Sequence, residues 1–210
     1  MSLLENISAA LQTGKVKVVT QLVEEAIAEG LSAQEILDKG LLDGMTKLGV
    51  KFKNNEVYVP EVLIAARALN KGTELLKAKL LEEGVKPIGK VVIATVKGDL
   101  HDIGKNLVKM MLEGAGFEVV DLGIDISEDK IVEAVKEHNP HILCLSALLT
   151  TTMSEQRTVV DALKAAGVRS SVKVMIGGAP ITQIFCDQIG ADAYAPDAAS
   201  AAEVAKTFVA

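Results

Sequence analysis

The chain has 210 residues, of which 49% are hydrophobic and only 3% aromatic, and a formal net charge of -6. That is enough apolar chain for one large domain or two modest ones with a real core, while the acidic balance argues against nucleic acid as the main partner. No apolar run approaches the roughly 20 residues of a transmembrane helix, and no charged segment followed by an apolar one opens the chain. The expected setting is cytoplasmic, with no membrane and no nucleic acid among the partners.

Residues 1 to about 80 read as helices only. Leu3 to Leu11 forms the first. Val16, Val19, Leu22, Val23, Ala26 and Ile27 recur at helical spacing until Gly30. Ser32-Ala33-Gln34-Glu35 predicts a capping box, in which the Ser32 hydroxyl and the Glu35 carboxylate satisfy each other's backbone N-H groups. The third helix carries Ile36, Leu37, Leu41, Met45 and Leu48 and is expected to end at Gly49. Pro60, suited to a first helical turn, opens a fourth helix through Leu63, Ala66, Leu69 and Leu76. A four-helix bundle is the economical arrangement.

Glu82 to Gly89, with two glycines and Pro87, reads as a linker. Residues 1–88 are therefore expected to form a helical domain with its linker, and residues 89–210 an α/β domain. Five apolar runs follow, each with a helical pattern after it: Lys90 to Val96, Phe117 to Leu122, Ile142 to Ser146, Lys173 to Ile176 and Ala191 to Tyr194. The alternation implies a flavodoxin-like, doubly wound (Rossmann-like) parallel sheet of five strands. Strand order 2-1-3-4-5 would put the loops after the first and third strands on either side of the switch point, where ligands bind. Cys144 lies inside the third run and reads as a small buried hydrophobe.

The loop after the first strand is Gly98 to Asn106, and the helix is expected to begin at its end. It displays His101 with Asp99 two residues earlier. A carboxylate that accepts one ring N-H fixes the imidazole tautomer and raises the basicity of the other nitrogen, as in metal sites. Iron and zinc centres usually need more protein ligands than one, so a lone histidine suggests a metal already held by a macrocycle. By itself the triplet is more often a surface hydrogen bond. Ser146 to Thr152 fits a strand end with a helix cap, and Gly177-Gly178 fits a tight turn or a close backbone approach by a ligand.

Taken in order, Asp99-x-His101-x-x-Gly104, Ser146-x-Leu148 and Gly177-Gly178, behind a helical domain, resemble the cobalamin-binding module of methyl-transferring corrinoid proteins. Gly98 to Asn106 closely resembles the corresponding loop of methionine synthase. The likeness covers nearly the whole chain, whose size resembles a freestanding corrinoid subunit of a methyltransferase system.

The resemblance implies cobalamin or a related corrinoid, passing between methylcobalamin and Co(I) cobalamin, with His101 as the lower axial metal ligand in place of the corrinoid's benzimidazole. It implies that Asp99 bonds the other ring nitrogen and that a hydroxyl extends a proton relay. Methionine synthase has a serine where Thr152 aligns, so Thr152 is the candidate here. The displaced nucleotide tail would enter the sheet domain, with room cleared by Gly104, a slot lined by Ser146, Leu148 and Thr150, and close approach at Gly177 and Gly178. Tyr194 and Asp197 would meet its far end. The helical domain would cap the methyl-bearing face through Tyr58, which otherwise reads as a core aromatic at a helix start.

The implied function is a non-catalytic or co-catalytic methyl carrier. It would be loaded on Co(I) by a substrate:corrinoid methyltransferase, unloaded by a corrinoid:acceptor methyltransferase, and maintained by a reductive activase. Methanol, methylamines, betaines and aryl methyl ethers stay open as donors, and tetrahydrofolate or a thiol such as coenzyme M as acceptors. A cobalamin-dependent sensor or regulator is the alternative, though such proteins generally add a DNA-binding domain for which there is no basic helix here.

Overall fold

Ser2 caps the first helix, α1 (Leu3–Gln12), by a reciprocal pair: its hydroxyl accepts the Glu5 N-H at 3.3 Å and the Glu5 carboxylate accepts the Ser2 N-H at 2.7 Å. The computed structural model describes residues 2–210, which divide into a helical unit that runs to Pro87 and takes in Gly114–Gly116, and an α/β unit of Ile88–Glu113 and Phe117–Ala210. In the helical unit α2 (Val16–Ala28) follows, then a single turn, α3 (Ala33–Glu35). The Ser32 hydroxyl caps α3 at 3.1 Å as expected. The Glu35 carboxylate, however, binds Lys39 at 2.8 Å instead of returning to Ser32. The free N-H groups of Ala33 and Gln34 are received by Glu83, at 2.8 and 3.1 Å, a long-range cap that only the tertiary fold supplies.

From α3 the chain continues without a break through a π-helical stretch, Ile36–Leu42, into α4 (Asp43–Lys53). The expected stop at Gly49 does not occur. Glycine here serves close packing: a Cβ on Gly44 would lie 2.8 Å from the Ser8 carbonyl oxygen of α1, so only a bare backbone fits. The last helix, α5 (Val59–Glu82), has Pro60 in its first turn. Ile7, Leu11, Val23, Leu41, Leu48, Val62 and Leu76 are fully buried within this unit. Each such side chain contributes about 1.5–3 kcal/mol of burial energy.

The α/β unit alternates β1 (Lys90–Thr95), α6 (Ile103–Glu113), β2 (Glu118–Asp121), α7 (Glu128–His138), β3 (Ile142–Ser146), α8 (Ser154–Ala165), β4 (Lys173–Gly177), α9 (Gln183–Ile189), β5 (Ala193–Tyr194) and α10 (Ala198–Thr207). All strand pairs are parallel and the order is β2-β1-β3-β4-β5, as the alternation predicts. Buried Val92, Ala94, Leu143, Leu145, Val174 and Ile176 join Ile131, Val135, Val160 and Leu163 of the flanking helices in one core. Helix α6 starts at Ile103, three residues before the expected Asn106. Its first internal hydrogen bond runs from the Asn106 N-H to the Asp102 carbonyl at 2.7 Å, so Gly104 and Lys105 belong to the first turn. Because β1 and β3 are neighbours, the loops that leave their carboxyl ends lie side by side.

Candidate functional site

Asp99 ties those two loops together. It is fully buried, and its Oδ1 accepts the His101 N-H at 3.0 Å and meets His101 Nδ1 at 2.8 Å. Its Oδ2 accepts the Leu148 N-H and the Thr152 hydroxyl, both at 2.7 Å. Burial pushes this carboxyl up. The hydrogen bonds from Thr152, Leu148 and His101 more than offset that and hold it well below the usual carboxylate range. Asp99 is therefore ionised at neutral pH, an acceptor with every partner a donor.

His101 is fixed from the other side as well. The hydroxyl of Thr95, fully buried at the end of β1, donates to the His101 carbonyl at 2.9 Å. With Nδ1 turned to Asp99, the side chain is still 50% exposed, and no hydrogen bond engages Nε2 among the described residues. A carboxylate at Nδ1 places the ring proton there and leaves the Nε2 lone pair directed outward. Among the described residues no three His, Cys, Asp or Glu side chains gather as a metal cluster.

The other residues singled out by the sequence fall as follows. Gly104 sits exposed in the first turn of α6, with no atom within 4 Å of where a Cβ would be. Ser146 ends β3 half-buried, and Leu148 and Thr150 are exposed on the loop beyond it. Gly177 ends β4, and Gly178 (φ +132°) packs against the Ala147 backbone. Tyr194 pairs with Ile176 in the sheet, and Asp197 caps α10 through Ser200. Tyr58, at the head of α5 in the helical unit, is 65% exposed, which corrects its reading as a core aromatic. Cys144 is buried as expected, which pushes its thiol up to about 12 and leaves it unreactive.

Sequence reasoning passed over four supports. Thr95 reads as one more β-branched core residue. Gln156, fully buried on α8, donates to the Leu145 and Gly177 carbonyls at 3.1 Å and holds the ends of β3 and β4 together. Lys105, 3% exposed, pairs with Asp121 at 2.6 Å and anchors α6 to β2. Asp125 accepts the Gly98 N-H at 2.7 Å. These contacts span 6 to 27 residues, and no local spacing announces them.

Leu100, Ile103, Ile124, Leu148, Leu149 and Ile184 are all exposed in or just after the loops that follow β1 to β4. This apolar collar, on loops at the same end of the sheet as an outward-facing imidazole, suits the flat face of a macrocycle whose metal takes one axial nitrogen. Fold and site together define a doubly wound α/β module whose histidine loop lies at the switch point, where folds of this class receive cofactors.

The chain belongs to the B12-binding family. One B12 binding domain matches residues 89–205 and another residues 3–77. It is similar to dimethylamine corrinoid protein 3 of Methanosarcina acetivorans, 45% identical over 207 residues, which are 99% of this chain and 97% of the relative. Its fold is similar to a cobalamin-binding protein from Desulfitobacterium hafniense, with a TM-score of 0.82, 37% identity and 100% and 99% of the two chains covered. It is also similar to a chain of the methanol:cobalamin methyltransferase complex MtaBC of Methanosarcina barkeri, with a TM-score of 0.88, 31% identity and 99% and 79% covered. The cofactor is thus cobalamin or a related corrinoid. No helix among the described residues is long and apolar enough to cross a membrane.

Proposed function

We propose that this chain is the methyl-carrying corrinoid protein of a methylamine methyltransferase system, with His101 as the axial metal ligand. The observation that carries the reading is the Asp99 carboxylate, which bonds Nδ1 of a half-exposed ring and leaves Nε2 free. A bound corrinoid would supply the cobalt chemistry of methyl transfer, with a reductive activase as a further proposed partner. Everything else is work for the protein's own side chains.

Asp99 keeps the Nδ1 proton in place, so Nε2 presents its lone pair to the metal. The same contact holds the ring whether it is neutral or charged, which lets His101 bind and release without leaving its loop. Thr152, 2.7 Å from Asp99 and 7% exposed, links the pair to the loop after β3 and is the proposed continuation of the proton path. Gly104, Ser146, Leu148, Thr150, Gly177 and Gly178 are assigned to the nucleotide tail, with Tyr194 and Asp197 at its far end. Residues 1–88 are assigned the role of helical cap, with Tyr58 as its cofactor contact, and residues 89–210 that of cobalamin-binding domain.

The dimethylamine relative favours methylamines over methanol, betaines and aryl methyl ethers as the methyl source, delivered by a substrate:corrinoid methyltransferase. A corrinoid:acceptor methyltransferase then takes the methyl group to a thiol or to tetrahydrofolate. The reconstituted, reduced protein is tested with dimethylamine and a dimethylamine methyltransferase, and in parallel with methanol and a methanol methyltransferase. Visible spectra are expected to show cofactor methylation in the first mixture only. Methylation by methanol alone would overturn the assignment of donor.

A further inference from the structure

The loop that follows β2 reaches back under the histidine loop. Thr95 donates its N-H to the Gly123 carbonyl at 3.0 Å, and Ile126 donates to the Thr95 carbonyl at 3.1 Å. Between them Asp125 adopts φ +55°, a left-handed conformation that Asp and Asn tolerate better than most residues. That conformation lets one residue make two opposed contacts. Its carboxylate accepts the Gly98 N-H at 2.7 Å, and its own N-H donates to the Asp99 carbonyl at 3.1 Å.

The two contacts grip the peptide groups on either side of the Gly98-Asp99 pair. Gly98 is itself left-handed, at φ +76°, so the loop has a soft point immediately before Asp99. Fixing the peptide group before this point and the one after Asp99 restricts the backbone angles that decide where the Asp99 side chain aims. Asp125 is exposed, its hydrogen bonds go to Gly98 and Asp99 and not to His101, and no part of the proposed function uses it. Lys105 and Asp121 brace the same region, since Asp121 Oδ1 also accepts the Gly123 N-H at 2.9 Å.

We propose that Asp125 is a positioning residue for His101: by clamping Gly98 and Asp99 it directs the carboxylate that orients the imidazole. The inference rests on the reading of His101 as axial ligand for its purpose, though not for its test. Asp125→Gly removes the carboxylate and keeps the left-handed backbone without strain. Asp125→Asn keeps both the acceptor oxygen and the tolerance for that backbone.

The test is a long-range proton–nitrogen-15 correlation spectrum of the histidine side chains in the full chain without cofactor, in mildly alkaline buffer. Wild type and Asp125→Asn are expected to show His101 as one neutral tautomer with the proton on Nδ1. Asp125→Gly is expected to lose that signature, its two ring nitrogens shifting toward an averaged position, while the urea midpoint stays near wild type. A wild-type His101 pattern in Asp125→Gly would overturn the inference. So would an Asn variant that behaves like the Gly variant, because it retains every feature the argument uses. The axial-ligand reading is decided separately, by the Co(II) spectrum of the wild-type holoprotein.

Discussion

Replacing Asp99 with Asn is expected to take His101 off the cobalt while leaving the corrinoid in the protein. Oδ1 and Oδ2 of Asp99 each receive a backbone N-H, from His101 and Leu148 respectively. An amide has only one acceptor end, so in either orientation its NH2 group faces a buried N-H. One mismatched pair of this kind costs about 1–3 kcal/mol. If the NH2 group turns toward His101, Nδ1 must become the acceptor and the ring proton moves to Nε2, the atom that should hold the lone pair. Loss of a hydrogen-bond partner behind a metal ligand commonly weakens binding about 10–100-fold. Of the residues assigned to the tail only Leu148 bonds to Asp99, through its backbone N-H, so cobalamin should survive desalting, with demethylation and its pH dependence altered. Retained histidine ligation in Asp99→Asn would remove the orienting role.

The same variant changes the acid limb of stability. Asp99 is held below the ordinary carboxylate value of about 3.9 in the folded state. Its ionised form therefore stabilises the fold fully above that value, and the contribution is lost as pH falls through the lower folded value. Urea midpoints of wild type and Asp99→Asn should differ by a constant amount near neutrality and converge below about pH 4.

Gly178→Ala is expected to be the most damaging single-methyl change in the α/β unit. The added Cβ would lie 1.7 Å from the Ala147 carbonyl oxygen and 2.7 Å from its carbon, at a φ of +132° that L side chains rarely adopt. Both neighbours are backbone, so relief requires the ends of β3 and β4 to part, against the Ala147 N-H to Gly177 carbonyl bond of 3.1 Å. A cost of about 3–5 kcal/mol follows from combining a steric clash with a forbidden backbone conformation. Urea unfolding of the cofactor-free chain measures it, and a wild-type midpoint would show that the turn relaxes freely. Gly104→Ala is the informative contrast. Its Cβ meets nothing, and alanine in a helix is favoured over glycine by roughly 0.5–1 kcal/mol. This variant should be as stable as wild type or more so, yet retain less cobalamin if the bare backbone makes room for the corrinoid.

Much of this molecule is legible in its sequence because periodicity and chemistry point the same way. Apolar runs of strand length, each followed by a helical pattern, leave few topologies, and the observed order β2-β1-β3-β4-β5 is the common one. Asp99 and His101 stand out as a carboxylate and an imidazole on a strand-end loop, but their proposed roles, and the choice of Thr152, come from the resemblance to corrinoid proteins; the hydrogen bonds that join Asp99 to His101 and Thr152 are visible only in the structure. One misreading concerns glycine. Gly49 resembles a helix stop, yet α4 runs through it to Lys53, and at Gly44 the same helix uses glycine to let backbones approach. The supports of the site were illegible for another reason. Asp125 and Gln156 act through hydrogen bonds to residues brought near by sheet order, Thr95 bonds a loop carbonyl six residues on, and each has a local pattern that reads as core, turn or helix surface.

The central claim is that His101 Nε2 is the lower ligand of the protein-bound corrinoid. The direct measurement is the EPR spectrum of the Co(II) holoprotein, prepared with natural-abundance and with nitrogen-15-labelled protein and unlabelled cobalamin. The account predicts an axial nitrogen splitting that changes with the protein label and disappears in His101→Ala. A splitting indifferent to the protein label would mean that the cofactor keeps its own base on the metal, and would contradict it.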